Sequence, residues 1–268
     1  MKNTIIGGIV GVLLIGILSS SQDFKTSKKL VETDKYKVIH VDGRIIFQKT
    51  NADMKQGDIF VSGTLLKFLS NDSRAAVISS IKGRFVLSAS EKGQTKILPA
   101  ANNISSRSGA LINLIDLQNH FSGDYLVLDK MKLEIGEVNY PMHETNFFYL
   151  SYLYNGEKIN KKLSYENNKL IIDKDEIFKI DGQAIPYDEL AMTLYYRQGS
   201  SPVKISEFKT VFPNLDELKS EITIIRDEFA DKSNEVQIQE ITAYLAEFYG
   251  KPQKENLAIW LKAEFGLQ

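Results

Sequence analysis

The 268-residue chain contains no cysteine. Disulfides, thiolate nucleophiles and cysteine metal sites are therefore excluded, and so is a lipid-modified N-terminal cysteine. Histidine is scarce: only His40, His120 and His143 are present. His40 lies in a strand-like run, and His120 has no evident partner nearby in sequence. His143, in Pro141-Met142-His143-Glu144, lacks the second histidine that a zinc-protease helix needs. Neither a Gly-x-Ser-x-Gly elbow nor a Ser-x-x-Lys motif with its companion motifs occurs. An excess of one charge is missing too. With 33 basic and 34 acidic side chains the formal net charge is -1, so no global field steers the chain onto nucleic acid or an anionic membrane.

The acidic clusters carry no chemistry that their sequence declares. Asp173-Lys174-Asp175-Glu176 opens like a calcium loop but lacks the glycine and the glutamate that such a loop places later, so a charged turn is expected. Asp53 and Asp58 flank Lys55-Gln56-Gly57, where an Asx-type turn accounts for them. Ser105-Ser106-Arg107-Ser108-Gly109 reads as a polar loop. The sequence therefore predicts no catalytic residue, no metal ligand and no cofactor.

What is present begins with a single long apolar run, Ile5 to Leu18, preceded by Lys2 and followed by Ser19-Ser20-Ser21-Gln22. That is the pattern of a secretory signal peptide cleaved after Ser21. The rival reading is an uncleaved anchor over residues 5–21. The run is short of the ~20 apolar residues a span requires. Lys25, Lys28 and Lys29 also weaken the charge asymmetry that would orient it. A periplasmic or secreted body is expected, free or held at the inner membrane, with membrane contact confined to this segment.

Hydrophobic residues at 43% and charged residues at 25% are an ordinary globular composition. The expected fold class is α+β, mainly β. Residues 22–35 read as a linker and 36–98 as an antiparallel β-rich block. Residues 99–124 read as a connecting loop with a short helix over Leu111 to Leu117. A second β-rich block follows at 125–200, and a small helical unit at 201–268. Asp42-Gly43 suggests a tight reversal between the runs 37–41 and 44–47. Gly43-Arg44-Ile45-Ile46-Phe47 is echoed by Gly83-Arg84-Phe85-Val86-Leu87, which predicts a positive-φ glycine and a water-facing arginine in each. Asn155-Gly156 between two strand-like runs is a strong hairpin signal, and 170–172 with 177–182 are expected to extend that sheet. Beyond Pro213 the period turns helical. Leu215, Leu218, Ile222, Ile225 and Phe229 form one stripe, capped by Asn214 with Glu217. Ile238, Ile241, Leu245 and Phe248 form a second, stopped at Gly250 and Pro252; Leu257, Trp260, Leu261 and Phe265 form a third.

The candidate interaction surface is aromatic. Alternation along a strand places Phe148, Leu150, Tyr152 and Tyr154 on one face and Phe147, Tyr149 and Leu153 on the other. Phe148, Tyr149, Tyr152 and Tyr154, with Tyr195 and Tyr196, are the expected partner-binding residues, because tyrosine combines area with a hydroxyl.

The segments Lys37 to Ile45, Met54 to Asp58, Leu65 to Phe68, Asp72 to Val77 and Gly83 to Leu87 together resemble the FecR-like domain. They reproduce its Val-x-Gly turn, its Gly-Asp after a short loop, its alanine- and valine-bearing strand and its final glycine-containing strand. The resemblance spans residues 36–97 and implies a periplasmic β-rich module that relays signals or makes protein contacts. The chain departs from the iron-citrate regulator type, having no N-terminal anti-sigma region and a helical C-terminus. As a whole it is similar to an exported protein type of Bacteroidetes-like bacteria. A non-catalytic envelope protein acting through an envelope protein partner is the expectation. The alternatives are an envelope hydrolase or ligand-binding enzyme assembled from distant residues, and an anchored scaffold with a cytoplasmic body.

Overall fold

The computed structural model describes residues 34–79, 81–89, 95–99, 109–186 and 190–268. The leader, most of the 22–35 linker and the Ser105–Ser108 part of the polar loop lie outside them. The first block comprises β1 (Lys35–Asp42), β2 (Ile45–Phe47), β3 (Ala52–Asp53), β4 (Ile59–Val61), β5 (Leu66–Phe68), β6 (Arg74–Ser79), β7 (Gly83–Ala89) and β8 (Thr95–Pro99). They form a five-stranded sheet in the order β4-β1-β6-β7-β8 and a three-stranded sheet in the order β3-β2-β5. The two sheets enclose Val38, Ile45, Met54, Leu66, Ala75, Val77 and Leu87. Asp42-Gly43 is not a hairpin turn. β1 pairs with β4 and β6, while β2 pairs with β3 and β5, so the chain passes there from one sheet to the other. Gly43 has φ 76°, and a Cβ on it would meet Ser73 Oγ at 2.7 Å. Glycine serves both the angle and the close approach.

In β6 the run Arg74-Ala75-Ala76-Val77-Ile78-Ser79 is apolar on both sides, and both sides are used. Ala75 and Val77 face the three-stranded sheet, whereas Ala76 and Ile78 belong with Ile39 to a second core on the opposite face.

The middle of the chain contains α1 (Leu114–His120), β9 (Asp124–Leu126), β10 (Lys130–Glu134), β11 (Asn146–Tyr154), β12 (Glu157–Lys162), β13 (Ser164–Glu166) and β14 (Lys169–Asp173). It continues through α2 (Lys174–Ile177), β15 (Lys179–Ile180), β16 (Gln183–Ala184), β17 (Leu190–Gln198) and β18 (Ser201–Val211). A five-stranded sheet runs β12-β11-β17-β18-β9, with β9 joining β18 in parallel, and faces a three-stranded β10-β14-β13 sheet. Between them lies a core that includes Met131, Leu133, Phe148, Leu150, Leu170, Ile172, Met192, Leu194 and Phe208. The β11–β12 reversal is the expected one, with Asn155 and Gly156 at φ 51° and 84°.

Four expectations need correction. The short helix starts at Leu114, where Asn113 accepts a hydrogen bond from the Asp116 amide, while Leu111 bridges to Ile135 as strand. The 173–176 turn is a single helical turn capped by Asp173. Residues 170–172 and 179–184 do not extend the hairpin sheet but enter the three-stranded sheet and a separate small hairpin. Residues 201–211 are strand, not the start of the helical unit: Gly199-Ser200 turns β17 back onto β18, and Ile205 and Phe208 bury in the sheet's core.

The helices are α3 (Leu215–Glu228), α4 (Asn234–Phe248) and α5 (Lys254–Phe265). Asn214 caps α3, accepting from the amides of Asp216 and Glu217. The three apolar stripes converge, and Leu218, Ile222, Ile225, Ile241, Tyr244, Leu245 and Leu261 close over Ile39, Ala76 and Ile78. Each such side chain is worth about 1.5–3 kcal/mol when fully buried. The helical unit is thus the second cover of the first sheet, and residues 34–268 form one compact unit.

Candidate functional site

Alternation along β11 and β17 divides their aromatic side chains sharply. Phe148, Tyr152 and Tyr196 are 0%, 3% and 3% exposed and belong to the core. Tyr154 packs against the same core. Burial raises the pKa of the Tyr152 and Tyr196 hydroxyls. Both stay protonated and donate to the carbonyls of Ile177 (2.6 Å) and Pro141 (2.8 Å). Of the six candidate residues, these four are corrected to packing roles, because their face meets the three-stranded sheet rather than solvent. Tyr149 and Tyr195 stand on the other face, half-buried, directly opposite one another in the register.

That outer face is built row by row from the strand pairing. Lys162 lies opposite Tyr149, and Tyr149 opposite Tyr195; one row along, Phe147 lies opposite Arg197. The Tyr149 and Tyr195 rings stack at 5.0 Å with an interplanar angle of 8°. Three cations rest on this aromatic floor. Lys162 Nζ is 4.4 Å and Arg197 Cζ 5.7 Å from the centre of the Phe147 ring, and Lys158 Nζ is 5.7 Å from that of Tyr195. All three are exposed. No ion pair ties any of them to a carboxylate among the described residues, whereas the neighbouring Lys204 is paired with Glu207 at 2.5 Å. The pKa of Tyr149 is raised by burial and by Tyr195, with Arg197 opposing. Each exposed cation–π contact is worth only about 0.5–1 kcal/mol. The face is therefore pre-ordered but far from saturated.

Phe147 was legible as part of the aromatic run, whereas Lys158, Lys162 and Arg197 were not singled out by the sequence reading. The Asn155-Gly156 turn sets the β11–β12 register, which carries Lys162 to Tyr149 and was the signal available for the lysines. The β11–β17 pairing, which sets Arg197 opposite Phe147, joins strands far apart in the chain, and no local motif announces it.

No family model, curated protein or solved structure matches the chain. The functional reading rests on its own geometry.

The remaining candidates are weighed by the same standard. The histidines are not brought together. His143 is exposed and bonds Thr145, while His120 is half-buried against Tyr125. His40 Nδ1 lies 2.6 Å from Oε1 of Glu221, whose other oxygen accepts from Tyr244 and Tyr249 at 2.7 Å each. Glu221 is 2% exposed and fully occupied, so this cluster ties β1 to the helices. A cavity of ≈ 360 Å³ in the first block is lined by Tyr36, Phe60, Leu66, Phe85, Leu87 and Ile97 among others, and among the described residues no charged side chain or histidine lines it. Asp58 accepts from the Lys55 amide, three residues back, at 2.8 Å, and Asp53 pairs with Arg44, so neither makes the expected Asx-type bond to an amide two residues on.

Proposed function

We propose that this chain is a non-catalytic exported protein of the cell envelope that works by holding a protein partner on the outer face of the β12-β11-β17-β18 sheet. The observation that carries the reading is the set of three exposed cations poised over aromatic rings with no carboxylate to neutralise them. Aromatic and arginine side chains are the usual anchors of protein interfaces, and a preformed arrangement lowers the entropic cost of binding. The leader pattern and the FecR-like resemblance support the same setting.

A photo-reactive phenylalanine analogue at position 149 tests the reading in living cells. Irradiation should trap one discrete partner from position 149 and none from Ile259, a more exposed apolar position on α5. A ladder common to both positions, or no adduct at 149, would refute it. Sequencing the N-terminus of the envelope-derived protein should start at Gln22; a chain beginning at Met1 would replace the cleaved leader with an anchor.

A further inference from the structure

The partner-binding reading leaves the chemistry of the occupant open, and the outer face carries information on that point. Its floor is Phe147, Tyr149 and Tyr195, and the cations over that floor are Lys158, Lys162 and Arg197, beside the Lys204–Glu207 pair. Lys158 and Lys162 lie four residues apart on β12, so their Cα atoms are separated by about 13 Å at the rise of an extended chain. Arg197 is on β17, two strands across and one row beyond Lys162, so its Cα is on the order of 12 Å from that of Lys162 and roughly 22 Å from that of Lys158. The Lys162 and Arg197 heads share the Phe147 ring, and the Lys158 head reaches the Tyr195 ring. An extended acidic chain lying along β12 repeats the same spacing, since carboxylates at positions i and i+4 are also about 13 Å apart.

We infer that the occupant of this face is an acidic segment of the partner protein, with Lys158, Lys162 and Arg197 receiving its carboxylates and the aromatic floor receiving the side chains between them. The inference rests on the reading of this face as the docking surface. The charge pattern selects against other polyanions. The chain is neutral overall, and Glu207 lies opposite Thr193 on the same face. A nucleic acid or an anionic membrane draws its affinity from many cations over a broad area. Three cations over a few rows match a short acidic stretch, for which charge complementarity supplies specificity and a fast on-rate.

The probe is fluorescein-labelled deca-glutamate, and the readout is anisotropy with the purified full chain. Saturable binding is expected at about 50 mM salt, weakening tenfold or more by about 300 mM as screening shortens the Debye length. The triple variant Lys158→Glu, Lys162→Glu, Arg197→Glu should lose at least about tenfold in affinity, and the milder Lys158→Gln, Lys162→Gln pair part of that. Lys130→Gln with Lys132→Gln, on the other sheet, should bind as the unaltered protein does. Unchanged far-UV circular dichroism shows that the variants fold. The inference is overturned if deca-glutamate does not saturate, if the triple variant binds equally well, or if a single-stranded oligonucleotide or phosphatidylglycerol vesicles bind more tightly. The cross-link from position 149 separates the two claims. A partner still trapped by the triple variant leaves the docking face standing and removes the acidic segment, whereas absence of both the cross-link and peptide binding removes both.

Discussion

His120 shows how a single side chain sets a pH limit for this fold. Its Nε2 lies 2.6 Å from the Tyr125 hydroxyl, and burial, with a smaller push from Lys251, lowers its pKa from 6.5 to about 4. Burial raises the pKa of Tyr125 well above its ordinary value, so the phenol donates and the neutral imidazole accepts. Between about pH 6.5 and 9 the folded and unfolded chains are both neutral here, and the pair adds no pH dependence. As the pH falls from there towards 4 the unfolded chain takes up a proton that the folded chain refuses, so stability declines, by roughly 3 kcal/mol at most, and then levels off. His120→Gln should flatten this part of the acid limb in urea denaturation midpoints taken between pH 7.5 and 4. Superimposable profiles for the two proteins would show that His120 is not the responsible group. Nothing in Asn119-His120-Phe121 signals this role: the tyrosine follows five residues later, but only the end of α1 and the start of β9 bring the rings together.

At the scale of elements, the joint between β7 and α4 turns on Arg84. The sequence echo suggests that Arg44 and Arg84 play the same part, and the glycines before them do, with φ 76° and 79°. The arginines do not. Arg44 reaches Asp53 on an exposed edge. Arg84, its side chain 0% exposed, bonds Glu247, lies 3.8 Å from Glu240 and approaches the Tyr244 ring. Its Nε and Nη2 have no hydrogen-bond partner. Glu247→Gln together with Glu240→Gln strands a buried guanidinium and should cost roughly 3 kcal/mol or more. Arg84→Met leaves carboxylates that still reach water and should cost less. Urea midpoints of the two variants give the order, and the reverse order would place the dominant penalty on the acids. The same contrast explains what local reading captures. A turn and its φ are written into neighbouring residues, whereas the exposure of the side chain beyond depends on a helix more than 150 residues away in the chain.

For the molecule as a whole, the strands, the Asn155-Gly156 hairpin and the three helical stripes were legible because each is a local period or a local turn. Sheet membership was not. β2 leaves its neighbour for another sheet, and β18 reads as a joint because Pro202 and the polar Ser201 and Lys204 mask a strand that buries Ile205 and Phe208. The candidate face was half legible: the tyrosines were visible, but which of them point outward depends on which side the three-stranded sheet covers. The packing of the helices on Ile39, Ala76 and Ile78 sets a test at this scale. A chain ending after Phe212 exposes those residues together with Leu126 and Leu128, and should lose its cooperative thermal transition by circular dichroism. A sharp transition retained by that fragment would make the β portion independently stable and the helices an accessory.

The pairing of His40 with Glu221 spans 181 residues, so the sheet that is made first acquires its outer cover last. At a synthesis rate of about 5–20 residues per second, Ile39 and Ile78 wait on the order of ten seconds or longer for α3 to α5 to emerge. Until then the nascent chain lacks the contacts that close its first sheet, so the whole fold can lock only when synthesis is nearly complete.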